Sequence, residues 1–131
     1  MNQRPLSPHL GVYKFMYTMS LSIMHRVTGC VATLGFLCFV WWLMALASGP
    51  AAYADALKTL SSPLAKVILF GFTFSFVYHF CNGIRHLVWD TGRGLERAQA
   101  RRSGAVVIVA ALLLTVLVAW LGCAALTGGA P

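Results

Sequence analysis

Three long stretches without a charged residue limit what this chain can fold into. No charge occurs between Arg26 and Asp55, Lys66 and Arg85 bound the second stretch, and none follows Arg102. A helix needs about 20 predominantly apolar residues to cross the hydrocarbon core of a bilayer, and each stretch approaches or exceeds that length. The sequence therefore predicts an all-α integral membrane protein with three transmembrane helices.

The composition excludes an ordinary soluble domain. The 131-residue chain is 59% hydrophobic and only 10% charged, whereas soluble domains have about 25% charged residues. Ten Lys and Arg against three Asp and Glu give a net charge of +7. These basic residues lie in short segments between apolar stretches, where such residues set membrane orientation. We therefore predict the lipid bilayer as the surroundings of this chain, and no nucleic acid as a partner.

Turn-forming residues mark the ends of the predicted helices. Gly49 and Pro50 end the first helix, and Ser61-Ser62-Pro63 is a capping sequence that begins the second. The first 19 residues, which include two prolines, are predicted to form a non-helical arm. We predict one membrane-anchor domain, residues 1–131, with the arm at 1–19 and transmembrane helices at about 20–47, 63–90 and 103–126.

The distribution of basic residues predicts the orientation in the membrane. Arg4, Lys14 and Arg26 lie toward the N-terminal end and four arginines lie in the second loop, whereas the C-terminal tail has no basic residue. Short segments rich in Lys and Arg stay on the inner side, so the N-terminus should lie inside and the C-terminus outside. A start so close to the first motif, without a presequence, favours a bacterial plasma membrane over a mitochondrial inner membrane.

The second helix carries a histidine near the depth of the membrane centre. His79 lies 11 residues before Asp90 at the inner end of this helix, which is roughly 16 Å along the axis. Ionisable residues at this depth are rare and usually functional. His86 lies two turns later on the same face, about 10 Å away along the axis, so the two imidazoles cannot bind one haem iron from opposite sides. If His79 binds iron, its opposite ligand comes from elsewhere.

Two neighbours of these histidines allow more than one interpretation. Gly83, one turn after His79, could let a flat macrocycle lie against the helix or could only permit close helix packing. Asp90 is spaced to accept a hydrogen bond from His86. A histidine near the membrane surface needs no special role, and the spacing alone favours this plain interfacial role for His86.

The first helix carries a polar cluster near its inner end. Ser22 and Arg26 are one turn apart, and His25 shares their face of the helix. A hydroxyl, an imidazole and a guanidinium together could bind a quinone oxygen, a haem propionate or a lipid phosphate. The alternative is a positively charged helix end whose side chains extend to the lipid headgroups.

Three spaced motifs occur in the arm and in the first two helices. They are Arg4-Pro5-Leu6-Ser7-Pro8-His9-Leu10 followed by Tyr13, Ser22-x-x-His25-Arg26-x-Thr28-Gly29, and His79-x-x-x-Gly83-x-Arg85-His86-x-x-x-Asp90. Together they resemble the cytochrome b subunits of succinate dehydrogenase, respiratory complex II. The resemblance covers the whole chain, including the layout of three helices.

The resemblance implies half of a heterodimeric helical bundle around a shared haem b. The partners would be a second small membrane-anchor subunit, an iron–sulfur subunit and a flavoprotein that oxidises succinate, and ubiquinone would be the substrate in the membrane. His79 matches the axial haem ligand, whose opposite histidine comes from the second membrane subunit. Ser22 and Arg26 match the quinone site, and His25 with Arg26 matches the haem-propionate neighbourhood, to which His86 is added. This chain would thus be an enzyme subunit with no succinate chemistry of its own, passing electrons from the iron–sulfur subunit to quinone in the tricarboxylic acid cycle and respiratory chain.

Two other functions compete with this one. A transporter subunit could use an intramembrane histidine as a proton relay, but it should then carry carboxylates at depth, and the chain's three acidic residues lie in loops or at a helix end. A cytochrome b with two haems would pair His25 with His86 in addition to using His79.

Overall fold

The computed structural model describes the backbone of residues 16–128, and most of this range is helical. The helices are α1 (Tyr17–Ala47), α2 (Pro50–Leu60), α3 (Pro63–Asp90) and α4 (Arg97–Gly128). By length and composition, α1, α3 and α4 could each cross a membrane. The predicted all-α fold with three membrane-spanning helices is therefore confirmed.

Two helices begin earlier than predicted. Residues 1–15 of the expected arm lie outside the described residues, and the chain is already helical from Tyr17, three residues before position 20. Helix α4 begins at Arg97, six residues before position 103. The prediction used the point where charged residues stop, which marks the edge of the bilayer core. The arginine, glutamine and alanine residues before that point favour helix, so α4 begins outside the core. Apolarity therefore underestimates helix length at this end of the bundle.

The connection between the first two spans contains a helix that the sequence patterns did not predict. Gly49 adopts a φ of 109°, a conformation that favours glycine, and Pro50 opens α2 at a position where its missing N–H costs nothing. The ring of Tyr53 lies 6.2 Å from that of Trp42 on α1, and Ala56 is buried. This short helix therefore packs back onto the end of the first span.

The start of α3 has the predicted cap. The backbone N–H of Ala65 donates to the hydroxyl of Ser62 at 3.3 Å, and Pro63 occupies the first helical position. The hydroxyl thus satisfies one of the amides that a helix start leaves without a partner.

Helix α3 packs against both α1 and α4 through small and polar side chains. A Cβ at Gly104 of α4 would collide with Leu21 and lie 3.1 Å from the ring of Tyr17, both on α1. Membrane helices use such small residues to approach closely. The buried positions are Ser75, Tyr78, Asn82 and Arg85 on α3, and Ala100, Gly104, Val107, Ala111 and Thr115 on α4. This packing directs one face of α3 to α4 and leaves the face that carries His79 for α1.

Candidate functional site

Three imidazole rings from α1 and α3 lie together. The rings of His25 and His79 stack with a centroid distance of 4.0 Å and an interplanar angle of 7°. The ring of His86 lies 5.2 Å from that of His25 and is tilted by 43°. His25 thus lies beside both histidines of α3 and joins two motifs that are far apart in the sequence.

A backbone hydrogen bond fixes the orientation of His79. Its Nδ1 lies 3.0 Å from the carbonyl oxygen of His25, and because a carbonyl oxygen only accepts, Nδ1–H is the donor. A neutral ring then carries its lone pair on Nε2. Nε2 has no hydrogen-bond partner within the described residues and is not fully buried. The same arrangement, one ring nitrogen held by a carbonyl and the other open, is typical of histidines that bind metals.

Glycine on α1 makes room for this ring. A Cβ at Gly29 would lie 2.9 Å from Cε1 and 3.1 Å from Nδ1 of His79, closer than side chains normally approach. At Gly83 the same test finds no atom within 4 Å among the described residues. Gly83 therefore does not serve packing among the described residues, and the open space beside it is compatible with the first interpretation of its role, a smooth face for a flat group.

In the cluster on α1, the side chains of Ser22 and Arg26 and one ring nitrogen of His25 lack hydrogen-bond partners inside the described part of the chain. Nδ1 of His25 is buried there without a hydrogen bond. Ser22 is half-buried and Arg26 is exposed, and neither side chain has a hydrogen-bond partner in the same residues. Buried polar atoms in native proteins are almost always paired. This cluster therefore has hydrogen-bonding capacity available for a bound group.

These residues fit the haem that the resemblance implies. His79 offers one open imidazole nitrogen, and a single neutral imidazole is an ordinary axial ligand of haem iron. Its orientation is fixed, and Gly83 lies one turn away on a face free of side-chain contacts from the described residues. The unpaired Nδ1 of His25 and the free guanidinium of Arg26 could form hydrogen bonds with an acidic substituent of the haem. The described residues could thus supply one imidazole nitrogen to haem iron and polar side chains to its acidic substituents.

His86 has different neighbours from those that the spacing suggests. Its ring centroid lies 5.1 Å from that of Trp89 in a T-shaped arrangement, and its other ring neighbour is His25. No hydrogen bond joins it to Asp90 among the described residues. The ring is therefore directed along the helix pair toward the histidine cluster rather than toward the acidic residue.

A buried arginine links α3 to α4. The guanidinium of Arg85 donates to the hydroxyl of Ser103 at 2.9 Å, to the carbonyl of Ala100 at 2.8 Å and to Oδ1 of Asn82 at 3.2 Å. Its Cζ also lies 3.9 Å above the ring of Trp89. Arg85 is only 6% exposed, so its charge is held almost entirely by these polar atoms and this ring.

The sequence patterns missed this role because Arg85 stood out as a boundary of the apolar stretch. A second signal was present. Ser75, Tyr78, Asn82 and Arg85 are spaced by three, four and three residues, which places four polar side chains on one helix face. The Tyr78 hydroxyl extends the same contact to α1 by donating to the carbonyl of Leu21 at 3.2 Å.

Replacing Arg85 with methionine should destabilise the helix bundle. The change removes three donors and leaves Oδ1 of Asn82, a residue with 0% exposure, without a partner. Each hydrogen bond to a charged group contributes about 1.5–3 kcal/mol, so we expect a loss of at least about 2 kcal/mol, measured as an earlier thermal transition of the detergent-purified protein. Arg93→Met, in the exposed second loop, is the matched control. An R85M transition as high as that of the unchanged protein would contradict the role assigned to the buried network.

Comparison with known proteins places these motifs in a single family. Residues 1–118 match the family described as succinate dehydrogenase/fumarate reductase transmembrane subunit. The chain is 41% identical to the succinate dehydrogenase cytochrome b556 subunit of Rickettsia prowazekii over 116 residues, 88% of this chain and 90% of the relative. It is 41% identical to that of Paracoccus denitrificans over 114 residues, 87% and 88% of the two chains. The mitochondrial cytochrome b560 subunit of Sus scrofa is 37% identical over 117 residues, 88% and 69%.

Proposed function

The chain belongs to the transmembrane-subunit family of succinate dehydrogenase and fumarate reductase, and on that premise we propose that it binds haem b and ubiquinone between itself and a second membrane subunit. It is a multi-pass membrane subunit of the enzyme and does not act on succinate itself. Its task is to carry electrons that arrive from the iron–sulfur subunit to quinone in the membrane.

One observation carries this proposal, the fixed orientation of His79. Its Nδ1–H is held by the carbonyl of His25, which leaves Nε2 as a lone-pair donor on a helix long enough to span the bilayer. A haem bound there supplies a site within the membrane that takes and returns one electron at a time. His79 would hold the iron of that haem through Nε2, and the bond to the carbonyl of His25 would keep the ring proton on Nδ1.

The cluster on α1 supplies the charged edge of the proposed site. Haem b carries two propionates, and carboxylates are best held by a guanidinium or by imidazole N–H groups. Arg26 is free to pair with one of them, and the unpaired nitrogen of His25 can turn a donor toward it. His86, whose ring lies beside His25, completes this propionate neighbourhood.

Ser22 and Arg26 also form the quinone site in this proposal. The hydroxyl of Ser22 donates a hydrogen bond to a quinone carbonyl, which orients the ring. Arg26 stabilises the negative charge that develops on the quinone oxygens as electrons arrive, an effect that is large where water is excluded. Both side chains lie within the first two turns of α1 after Met19, at the same end of the bundle as the arginine-rich second loop.

The positive charge of this end supports the orientation. Arg93, Arg97, Arg101 and Arg102 lie in or beside the loop that joins α3 to α4, and such loops stay on the inner side. The quinone site would then face the iron–sulfur subunit on the inner surface of a bacterial plasma membrane, and the C-terminus would lie outside.

The absorption spectrum of the complex purified through a tag on this chain tests the function. We expect one b-type haem per complex, reduced by succinate, and quinone reduction that a quinone-site inhibitor blocks. The flavoprotein and iron–sulfur subunits should copurify. A complex without haem would contradict the haem proposal, and two haems per complex would favour the second pairing, between His25 and His86.

A further inference from the structure

A pocket opens at the inner ends of the helices, away from the histidine cluster. It has a volume of about 650 Å³, and its lining includes Met16, Tyr17, Trp89, Leu95, Arg97 and Arg101. These residues come from the start of α1, the end of α3 and the start of α4. The pocket therefore lies where all three spans leave the membrane on the same side.

The wall of the pocket is fixed in place. The indole N–H of Trp89 donates to the carbonyl of Gly94 at 3.0 Å, and the guanidinium of Arg85 lies 3.9 Å above its ring. The buried Arg85 is in turn bound to Ala100, which also lines the pocket. A wall held by these contacts is preformed, so a ligand would not have to order it.

The pocket has an unbalanced positive charge. Arg97 and Arg101 are one turn apart on α4, and both are exposed. Neither has an ion-pair partner in the part of the chain that the structure describes. Residues 1–15 contain no Asp or Glu and carry Arg4 and Lys14, so the preceding segment cannot neutralise the pair. Glu96 precedes Arg97 but forms no ion pair with either arginine in that part of the chain, so both guanidiniums are available to an anion from another molecule.

Two other lining residues, Met16 and Leu95, are apolar and exposed. Met16 is 55% and Leu95 63% exposed, and the uncharged stretch of α4 begins at Ser103, directly after Arg102. The two guanidiniums thus lie at headgroup depth, with apolar surface directly beside them. An acidic protein segment would match the charge, but a molecule with an anionic head and hydrocarbon chains matches the charge, the apolar wall and the depth together.

We propose that this pocket binds one anionic phospholipid, with its phosphate between Arg97 and Arg101 and an acyl chain along Met16 and Leu95. None of the proposed haem and quinone residues lines this pocket, although Trp89 in its wall also contacts the ring of His86. Its ligand is a structural lipid of the inner leaflet, which joins the ends of α1, α3 and α4.

Lipid titration of the intact, detergent-purified complex, followed by native mass spectrometry, tests the proposal. The probes are dioleoylphosphatidylglycerol and dioleoylphosphatidylcholine. We expect one tightly bound phosphatidylglycerol, weak binding of phosphatidylcholine, and no displacement by excess inorganic phosphate. One arginine near an anionic headgroup improves binding about fivefold, so R97Q/R101Q should weaken phosphatidylglycerol binding about 25-fold.

The matched control is R93Q/R102Q, which removes the same charge from two arginines that do not line the pocket. It should leave the tight binding in place, and an equal loss in both double variants would overturn the proposal. So would displacement by phosphate, or loss of the iron–sulfur subunit from R97Q/R101Q with lipid binding unchanged. If R97Q/R101Q does not assemble, Leu95→Glu keeps both arginines and repels the phosphate. L95E should then lower affinity for phosphatidylglycerol, and unchanged affinity would overturn the lipid site.

Discussion

Replacing His79 with leucine should abolish the low-spin b-type spectrum of the purified complex. Leucine has no lone pair to bind iron. His25 lies on another helix, where its ring stacks on that of His79, and His86 lies two turns away, so neither ring holds the position of the lost nitrogen. The measurement is the succinate-reduced minus oxidised absorption spectrum, with haem content determined on the same sample. Succinate oxidation with a soluble dye should persist, because this membrane subunit does not itself act on succinate.

A glycine pair separates the ligand role of His79 from a general effect on packing. Gly29→Ala places a methyl group 2.9 Å from Cε1 of His79, so the ring must shift and its bond to the carbonyl of His25 must lengthen. The low-spin spectrum should then weaken or shift while His79 itself is unchanged. Gly71→Ala, where the added carbon meets no described atom within 4 Å, is the control. A normal low-spin spectrum in the H79L complex would rule out His79 as the ligand.

Much of the fold follows from where charge is missing. The bilayer core excludes unpaired charge, so uncharged stretches of sufficient length had to become spans, and Ser62 with Pro63 marked the start of α3 to the residue. The same reasoning could not find α2, which is too short and too polar to span. It also placed the start of α4 too late, because the helix extends beyond the uncharged stretch into a segment that carries arginines.

The site was less predictable from sequence than the fold. Helical spacing placed His79 and His86 on one face, and this is local information. The stack of His25 on His79 depends on how α1 crosses α3. That crossing is set by contacts between residues far apart in the sequence, such as Gly29 and the ring of His79. The burial of Arg85 was hidden for a related reason. A charged residue near the end of an apolar stretch is normally a boundary, and the polar spacing along α3 does not by itself identify the partner atoms on α4.

Replacing Arg26 with glutamine should lower quinone reduction by succinate at least tenfold. Removing one group that stabilises developing charge in a water-poor site typically costs a factor of about 100, and glutamine retains a hydrogen-bond donor but no charge. Lysine keeps the charge without the planar fork of donors, so R26K should retain more activity than R26Q. The measurement compares reduction of a short-chain ubiquinone with reduction of a soluble dye by the same preparation.

The serine that accompanies Arg26 provides a matched pair of variants. Ser22→Ala removes a hydroxyl that has no partner among the described residues, and one hydrogen bond of about 0.5–1.5 kcal/mol corresponds to roughly a two- to tenfold loss. Ser20→Ala, two residues earlier, removes a hydroxyl that already donates to the carbonyl of Met16 at 3.4 Å, and quinone reduction should not change. In the proposed function only the quinone step uses these groups, so the loss in R26Q and S22A should be confined to quinone reduction. An equal loss of dye reduction would mean that the two residues support assembly, and full quinone activity in R26Q would exclude Arg26 from the quinone site.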